Sequence, residues 1–420
     1  MTLTASVGQA QALNGHEAGL QATHLALKNI GMGTPSLAIV IASRYYDPKE
    51  IASSVSSLLG DTPTIGFSSA SVLTEEGQIK NAVGVALISS NNLKVSEHWL
   101  SGYAQSGRET ASHLIELASA KDKKSQKNVF FFADGFNGDA EQMCLGLTGA
   151  PISIIGGLSS GNPHTGATSQ IAGTQAGSGS LAAAIVEGNL KVGIGSDHGW
   201  RPIGSQFRVT RSRGFWIRTL DGRPASEAYA NLFGYPASEW GFPPLNYLVR
   251  LYPLGIDQGE DLLVRSPLRV EADGSFRMNA PVRDGLDAYL LTGSPATCIE
   301  AAQRAAQKAR MALNGAKPVF AMILADISWQ MIFKARPGAE VEAVKAVIGD
   351  DVPIIGGYTL GQVTPGKDGS PPNFLNQHIT VVVFGEDELE DDTGASTTVN
   401  MRRSDVEKEL RKRRENLDLE

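Results

Sequence analysis

The stretch PVFAMILADI (residues 318–327) is followed in the chain by VPIIGGYTLG (residues 352–361). The first segment is an apolar run that stops at Ala-Asp, and the second places a pair of glycines after its apolar run. Two further segment pairs follow the same plan, the last of them more loosely: NVFFFADG (128–135) with ISIIGGLSSG (152–161), and SLAIVIAS (36–43) with TPTIGFSSAS (62–71). Continuous apolar runs of this length are typical of strands that are buried on both faces. The sequence therefore predicts that one structural unit occurs three times.

Each segment pair encloses a predicted helix. NGDAEQMCLGLTG (137–149) has a polar start, apolar residues at helical spacing and a closing glycine, and the other copies place helices at residues 47–59 and 339–348. Strand–helix–strand connections of this kind are right-handed and join parallel strands. A third strand follows each pair, and these strands are NAVGVALIS (81–89), GSLAAAIVEG (179–188) and HITVVVFGE (378–386). The predicted repeat is therefore β-α-β-loop-β.

Short polar turns follow the first two of these third strands. The turn SNN leads into LKVSEHWL (93–100), and the turn EGN leads into LKVGIGSD (190–197). Two strands joined by such a turn usually pair with each other. We therefore expect each of these segments to form a hairpin with the strand before it.

The predicted fold class is α/β, with two domains built from repeated β-α-β-loop-β units, mainly parallel core strands and antiparallel hairpin additions. The stretch LFGYPASEWGFPPLNYLVRLYPLG (232–255) is rich in proline, glycine and aromatic residues and separates the third unit from the others. It predicts domains at residues 1–230 and 231–387. A charged linker and helical tail are expected over residues 388–420, where Ser404 and Glu407 form a predicted capping box.

The composition indicates a globular protein rather than a disordered or nucleic-acid-binding one. The 420 residues are 42% hydrophobic and 19% charged, with a net charge of −7. A basic face is typical of nucleic-acid binders, so we expect no nucleic-acid partner. No apolar run approaches the roughly 20 residues that a membrane helix needs, so no membrane insertion is expected. Two distant cysteines in predicted helices, Cys144 and Cys298, favour a reducing, cytoplasmic location.

Small and polar residues stand where the predicted strands end. The residues that close the first strand of each pair are Ser43, Asp134 and Asp326. In the second strand we expect a glycine to end the strand and allow close backbone approach, and these glycines are Gly66, Gly156 and Gly356. Ligands of open α/β sheets bind beyond the carboxyl ends of the strands, so this edge is the candidate ligand site. The alternative is that the aspartates cap helices and the glycines only permit tight packing.

Other candidate residues carry weaker signals. Ser159 lies in GLSSG (157–161), which fits the G-x-S-x-G nucleophile pattern, but the Pro- and Gly-rich segment after it cannot begin the helix that this motif requires. His198 follows a strand beside Asp197, and it is either a ligand of a non-covalent haem or a structural histidine. Arg201 could bind a carboxylate ligand or form an ordinary ion pair. No catalytic pair and no metal-ligand motif can be assigned from spacing.

Several stretches resemble the FIST (F-box and intracellular signal transduction) family. ADGFNGDAEQMCLGL (133–147) is similar to its A-D-G-x-N-G-D signature, and PISIIGGLSSG (151–161) to its V-G-G-L-x-G turn. The longest match is KVGIGSDHGWRPIGSQFRVTRSRGFWIRTLDGRPASEAY (191–229). YPLGIDQGEDLLVRSPLRVEADGSF (252–276) and IIGGYTLGQVTP (354–365) with FLNQHITVVVFGE (374–386) resemble the companion C-terminal module. The resemblance covers roughly residues 20 to 386.

The resemblance implies two tandem modules that act as a sensory domain for small ligands, with amino acids among those proposed. It also implies, for some members, haem proteins that sense nitric oxide and regulate a separate histidine kinase. The ligand-facing residues carried over are Asp134, Asn137 and the Gly156-Gly157 turn, with His198 as a looser candidate. Phe67 stands where the family often has cysteine, so it could fill part of a pocket.

The sequence thus predicts a stand-alone sensor of FIST type that binds a small molecule and signals through a separate protein, such as a histidine kinase, or through a homo-oligomer. One alternative is a haem-binding nitric-oxide sensor. Another is a hydrolase or transferase that uses Asp134 or Ser159 in the same cleft, and a third is a non-catalytic scaffold. No cofactor is assigned, with haem as the candidate that the alternative requires.

Overall fold

The computed structural model describes residues 3–119, 126–149, 152–161, 166–257, 262–366 and 370–387. Residues up to Glu386 form one compact unit. The predicted capping box at Ser404 and Glu407 lies outside the described residues. Within the described ranges, no helix is both long enough and apolar enough to cross a membrane.

Three repeats of the order β-α-β-α-β-β build most of the fold. Unit 1 comprises β1 (Thr4–Ala10), α1 (Gly15–Ile30), β2 (Leu37–Ser43), α2 (Pro48–Leu59), β3 (Thr64–Ser69), the short strands β4 (Val72–Thr74) and β5 (Gly77–Ile79), and β6 (Val83–Ser89). Unit 2 comprises β7 (Lys94–Leu100), α3 (Gly107–Ser119), β8 (Lys127–Asp134), α4 (Ala140–Gly146), β9 (Ser153–Ser159), the short strands β10 (Gln170–Ala172) and β11 (Gln175–Gly177), and β12 (Leu181–Glu187).

A third unit is interrupted by an inserted body. After β13 (Lys191–Asp197), the inserted body contains β14 (Arg201–Arg213), β15 (Trp216–Leu220), β16 (Arg223–Pro224), α5 (Ala225–Phe233), α6 (Leu245–Leu248), β17 (Leu254–Asp257), β18 (Leu262–Arg265), β19 (Pro267–Val270), β20 (Phe276–Met278) and β21 (Asp287–Thr292). Unit 3 then continues with α7 (Pro295–Ala312), β22 (Lys317–Asp326), α8 (Ile327–Ile332), α9 (Ala339–Ile348), β23 (Ile354–Thr364), β24 (Asn373–Leu375) and β25 (Ile379–Glu386).

The three units share one sheet order, which confirms the predicted α/β repeat. The orders are β1-β6-β2-β3 in unit 1, β7-β12-β8-β9 in unit 2 and β13-β25-β22-β23 in unit 3. Each unit contains a parallel pair, formed by β2 with β3, β8 with β9, or β22 with β23. The remaining pairings in these four-stranded sheets are antiparallel.

The two predicted hairpins are wrong. β7 pairs with β12 of its own unit rather than with β6, and β13 pairs with β25 rather than with β12. The reason is that β6 already has β1 and β2 as neighbours, and β12 already has β7 and β8. A strand with both edges paired has no free N–H and C=O groups for a further strand. The polar turns therefore carry the chain into the next unit.

Pairings between strands of different units link the three units in a cycle. β4 of unit 1 pairs with β23 of unit 3, and β10 of unit 2 pairs with β3 of unit 1. The second half of β23 pairs with β9 of unit 2, with Gln362 opposite Gly157 and Val363 opposite Gly156. Each unit therefore pairs a strand with a strand of the next unit in the cycle.

Both faces of each four-stranded sheet are apolar. Along β2, Ala38, Val40 and Ala42 join the cluster beneath α1 and α2, whereas the alternate residues join a cluster shared by all three units. Phe132 of unit 2 and Met322 of unit 3 belong to this shared inner core. Phe67 lies there too, fully buried, with its ring centroid 4.4 Å from that of Phe132. Phe67 therefore fills the inner core.

The glycines predicted to end strands lie inside them instead, which corrects that expectation. Gly66, Gly156 and Gly356 occur within β3, β9 and β23. A Cβ on Gly66 would lie 2.4 Å from the carbonyl oxygen of Val40, and one on Gly356 would lie 2.5 Å from that of Ile323. The strands continue past these positions. The glycines permit close packing against the neighbouring strands, as the alternative interpretation expected.

The inserted body has its own aromatic core and is tied to unit 2. Tyr229 packs edge-on against Phe276, with ring centroids 4.6 Å apart. Arg265, at the end of β18, donates from Nη2 to Glu141 Oε1 of α4 at 2.6 Å. The Pro-, Gly- and aromatic-rich stretch at residues 232–255 lies inside this body, and the domain boundary near residue 230 stays a prediction.

Glu340 is a buried carboxyl group at the start of α9. It is fully buried, accepts a short hydrogen bond from the Tyr358 hydroxyl at Oε1, and has no described partner at Oε2. Burial raises the pKa of Glu340 from 4.5 to about 7. The folded protein therefore holds this group protonated at a pH where the unfolded chain ionises it.

We predict that Gly66→Ala and Gly356→Ala each lower the free energy of unfolding by about 1–3 kcal/mol, because the new methyl group meets backbone that cannot rotate away. Gly241→Ala is the matched control, since a Cβ there meets nothing within 4 Å. Urea unfolding followed by circular dichroism measures all three variants. Equal stabilities for the Gly66 and Gly241 variants would contradict the packing argument.

We predict a pH-dependent stability change that Glu340→Gln removes. Below about pH 4.5 the carboxyl is protonated in both states, and as pH rises through 7 the folded protein must bury a charge. Stability therefore falls with pH by up to about 3 kcal/mol in the wild type. Thermal unfolding at pH 5 and pH 8 should show a smaller loss for Glu340→Gln. The control Glu227→Gln, at an exposed position on α5, should keep the wild-type slope.

Candidate functional site

Asp134 ends β8, as predicted, and holds two loops together. Its Oδ1 accepts hydrogen bonds from the backbone N–H groups of Phe136 at 2.8 Å and Asn137 at 3.0 Å. Its Oδ2 accepts from Gly179 N–H at 2.8 Å and from Asn137 Nδ2 at 3.1 Å. The buried carboxylate is thus occupied by protein donors. In this arrangement Asp134 positions Asn137 and Gly179, which lie at the protein surface around a cavity.

Asp326 makes the equivalent contacts at the end of β22. Its Oδ1 accepts from Ser328 N–H at 3.0 Å and from Ser328 Oγ–H at 2.8 Å, and its Oδ2 accepts from Gln377 N–H at 3.0 Å. Asp326 is also the N-cap of α8, which the capping alternative expected. Burial raises the pKa of Asp326, whereas these donors oppose the rise. Gly356 lies in the neighbouring strand, in contact with Ile323.

The first cavity lies between unit 2 and the inserted body and has a volume of about 890 Å³. Asn137, Gly138 and Asp139 line it at the end of β8, and Gly179 lines it from the loop before β12. The segment 104–109 contributes the start of α3, and the inserted body contributes Phe215 and Arg277. The cavity therefore opens where the sequence placed the ligand edge, at the carboxyl end of a parallel strand.

Arg277 supplies a fixed positive charge to this cavity. Its guanidinium carbon lies 4.7 Å from the ring centroid of Trp216 and 5.5 Å from that of Phe215. Cation–π contacts of this kind orient the guanidinium without neutralising it. Half-burial lowers the pKa of Arg277, and no ion pair to it occurs among the described residues. Sequence reasoning missed Arg277, because its strand carries no motif and its place was decided by the fold.

Gly156 and Gly157 lie away from the first cavity, in the contact between β9 and β23. A Cβ on Gly156 would lie 2.4 Å from the ring of Phe131, and one on Gly157 would lie 3.1 Å from Thr359 Cγ2. In this structure the two glycines pack strands. Their assignment to the ligand stays a prediction.

His198 directly follows β13, and its ring packs edge-on against His378 with centroids 4.7 Å apart. Its Nδ1 accepts a hydrogen bond from Trp200 N–H at 3.3 Å, and burial lowers its pKa. The neighbouring Asp197 binds Arg304 in a two-hydrogen-bond contact. These contacts with His378, Trp200 and the neighbouring Asp197 account for His198 as a structural histidine. The haem hypothesis stays a prediction.

Arg201 begins β14 and is exposed. It forms an ion pair with Glu300, with Nη2 3.1 Å from Oε2 and with 65% of its side chain exposed. The contact is the ordinary ion pair that was the alternative to a ligand contact. The structure does not bring Arg201 to the first cavity.

Among the described residues, no acid or base is hydrogen-bonded to the Ser159 hydroxyl, although Asp134 lies opposite Ser159 on the neighbouring strand. Ser159 is fully buried, and its Oγ accepts a hydrogen bond from the Gln170 amide at 3.1 Å. An amide cannot take the proton that a serine nucleophile must lose. Within the described residues, no group of three His, Cys, Asp or Glu side chains is placed to hold a metal ion.

Comparison with solved structures finds similarity to two cyanuric acid hydrolases. One, described as an "evolutionary innovation by structural concatenation", is 6% identical, with a TM-score of 0.35 over 92% of this chain and 100% of that chain. The other, from A. caulinodans, is 8% identical, with a TM-score of 0.33 and the same coverage. Similarity this weak supports no statement about chemistry. No curated protein matched the sequence.

Two family models match the chain in tandem. The FIST N domain matches residues 36–223, and the FIST C domain matches residues 225–365. These domains are signal-transduction sensory domains that bind small ligands. The chain therefore belongs to the FIST family, with an N-type and a C-type domain in sequence.

Proposed function

We propose that this protein is a sensor that binds a small ligand in the first cavity and passes the signal to a separate protein. The observation that carries the proposal is the composition of the cavity walls. Asn137, Asp139 and Gly179 come from the region matched by the FIST N domain, and Arg277 comes from the region matched by the FIST C domain. A ligand in the cavity would touch both domains.

The charges around the first cavity favour a zwitterion such as an amino acid. Arg277 presents a guanidinium fork that suits a carboxylate. Glu109 and the side-chain carbonyl of Asn137 supply acceptors for an ammonium group in the same cavity. Phe215 adds an apolar surface for a side chain. A small organic ion with opposite charges at its two ends therefore matches the cavity better than a neutral apolar molecule.

Helix α4 offers a route from the ligand to the contact between domains. Asp139 caps α4 by accepting from the N–H groups of Glu141 and Gln142, and Asp139 and Gln142 also line the cavity. Glu141, on the same first turn, binds Arg265 of the inserted body. A ligand that moves this turn would alter the ion pair. Such a ligand changes the balance of two domain arrangements by its difference in affinity for them.

The output is proposed to pass to a separate signalling protein, such as a histidine kinase, or through a homo-oligomer of this chain. A cytoplasmic location is part of the proposal. It is supported by Cys144 and Cys298, which are free and buried thiols rather than disulfide partners.

We predict that Arg277→Ala weakens binding of the zwitterionic ligand by about 10- to 100-fold, the loss of one charged hydrogen-bond pair. Native mass spectrometry of protein from its own host would reveal any retained ligand, and thermal-shift titration with the twenty amino acids would identify one that exchanges. Arg223→Ala, at an exposed position outside the cavity, should retain wild-type affinity. Binding unaffected by Arg277→Ala would exclude the first cavity.

A second prediction concerns the output. Once an amino acid that binds is known, adding it should change the autophosphorylation rate of a histidine kinase that co-purifies with the protein. Arg277→Ala should require a correspondingly higher ligand concentration for the same change. If the kinase responds equally to the wild type and to this variant at low ligand concentration, its regulation does not pass through the first cavity.

A further inference from the structure

The threefold repeat creates three equivalent strand-end positions. The last residues of the first strands, Ser43, Asp134 and Asp326, donate their backbone N–H groups to Ala82, Ser180 and His378 on the neighbouring strands. The residues directly before these partners are Asn81, Gly179 and Gln377. All three residues have positive φ, of 49°, 70° and 64° respectively. Such angles are uncommon for residues other than glycine, so their recurrence marks a turn geometry that the three units share. The first cavity occupies the position in unit 2.

The position in unit 3 is filled by protein. Trp200 and Trp329 are both buried, and the indole N–H groups of both donate to the backbone carbonyl of Gln377, at 2.9 Å and 3.0 Å. The Gln377 side chain is itself held by Arg250 O and Ser266 Oγ of the inserted body. Trp200, Trp329 and the inserted body together therefore close the third position.

The position in unit 1 is open. A second cavity of about 630 Å³ lies there, between unit 1, unit 3 and the inserted body. Arg44 and Tyr45 line it directly after β2, and Lys80 and Asn81 line it before β6. These residues correspond to those that line the first cavity after β8 and before β12. The two cavities are thus copies of one site in the repeat, with different side chains.

The charge of the second cavity is one-sided. Arg44, Lys80 and Lys334 line it, and no carboxylate lines it among the described residues. Arg44 is anchored because its Nη1 donates to Gly161 O at 2.9 Å, which leaves the other guanidinium donors for a ligand. Three cations around one concave surface attract an anion and repel a cation. The first cavity, by contrast, contains both signs.

The uncharged residues that line the second cavity suit the organic part of an anionic ligand. Ser71 Oγ accepts from the side-chain amides of Gln78 and Gln330, each at 2.9 Å, and this network gives a rigid polar floor. Leu248, Leu251 and Met331 form an apolar wall. A cavity that is part apolar with a few convergent polar groups is the common form of a small-molecule site.

We propose that the second cavity is a further ligand site, selective for a small organic anion with an apolar body and a phosphate or carboxylate group. Arg44 and Lys334 bind the anionic group, and the apolar wall of the cavity holds the body. The site is separate from the zwitterion site proposed in unit 2, and it would let one protein respond to two kinds of molecule.

Isothermal titration of the full chain with phenyl phosphate, benzoate and benzyl alcohol at low ionic strength tests this site. At least one anion should bind at least tenfold more tightly than benzyl alcohol, and the stronger anion identifies whether phosphate or carboxylate is preferred. Arg44→Ala and Lys334→Ala should each weaken that binding at least fivefold. Arg336→Ala is the control, because Arg336 is an exposed cation nearby in sequence that pairs with Glu342 outside the cavity.

Two results would overturn the proposal: benzyl alcohol binding as tightly as both anions, or equal losses in the Lys334 and Arg336 variants. Anion binding that Arg277→Ala weakens and Arg44→Ala leaves intact would belong to the first cavity, so failure of the unit 2 site and failure of this site are distinguishable. Circular dichroism confirms that each variant is folded. Ser71→Ala provides an uncharged variant that perturbs the floor, with an expected loss of at least threefold.

Discussion

The architecture depends on the burial of the inner face of each unit's sheet. Helices cover only the outer face, so the inner residues, such as Ile39, Phe132 and Met322, need another apolar surface. The other two units supply it. A sheet with an uncovered apolar face would lose roughly 25 cal/mol for every Å² left in water. No unit can therefore bury the inner face of its sheet alone. The pairing of strands between units in a cycle holds the three inner faces together.

This closed core fixes the strand ends, and the strand ends carry the candidate sites. Asp134 and Asp326 tie the loop after one strand to the loop before another, which gives the rim a constant backbone shape. Side chains on that shared frame then differ. The rim around Gly179 is open and carries both charges, the rim around Asn81 is open and basic, and the rim around Gln377 is closed by tryptophans. The three units therefore share one frame, and the side chains on it differ from unit to unit.

The inserted body converts a symmetric frame into an asymmetric one. It provides Arg277 to the first cavity, Leu248 and Leu251 to the second, and Arg250 and Ser266 to the closed position. Its attachment through Arg265 to Glu141 places an ion pair on the first turn of α4, beside the first cavity. The signal that we propose is therefore a movement of this body relative to unit 2, because one helical turn both lines the cavity and forms the domain contact.

The sequence by itself determined the repeat, the strands and helix of each segment pair, and the location of Asp134 and Asp326 at strand ends, because continuous apolar runs and caps are set by local residue order. It did not predict α1, α3 or most strands of the inserted body. Only the tertiary structure decided which strands pair, since β6 and β12 have no free edge for the strand that follows. It also decided that Gly156 packs against Phe131 and that Arg277 lines the same cavity as Asn137. Pairing and cavity lining depend on contacts between distant segments, and no local pattern records which distant segment will arrive.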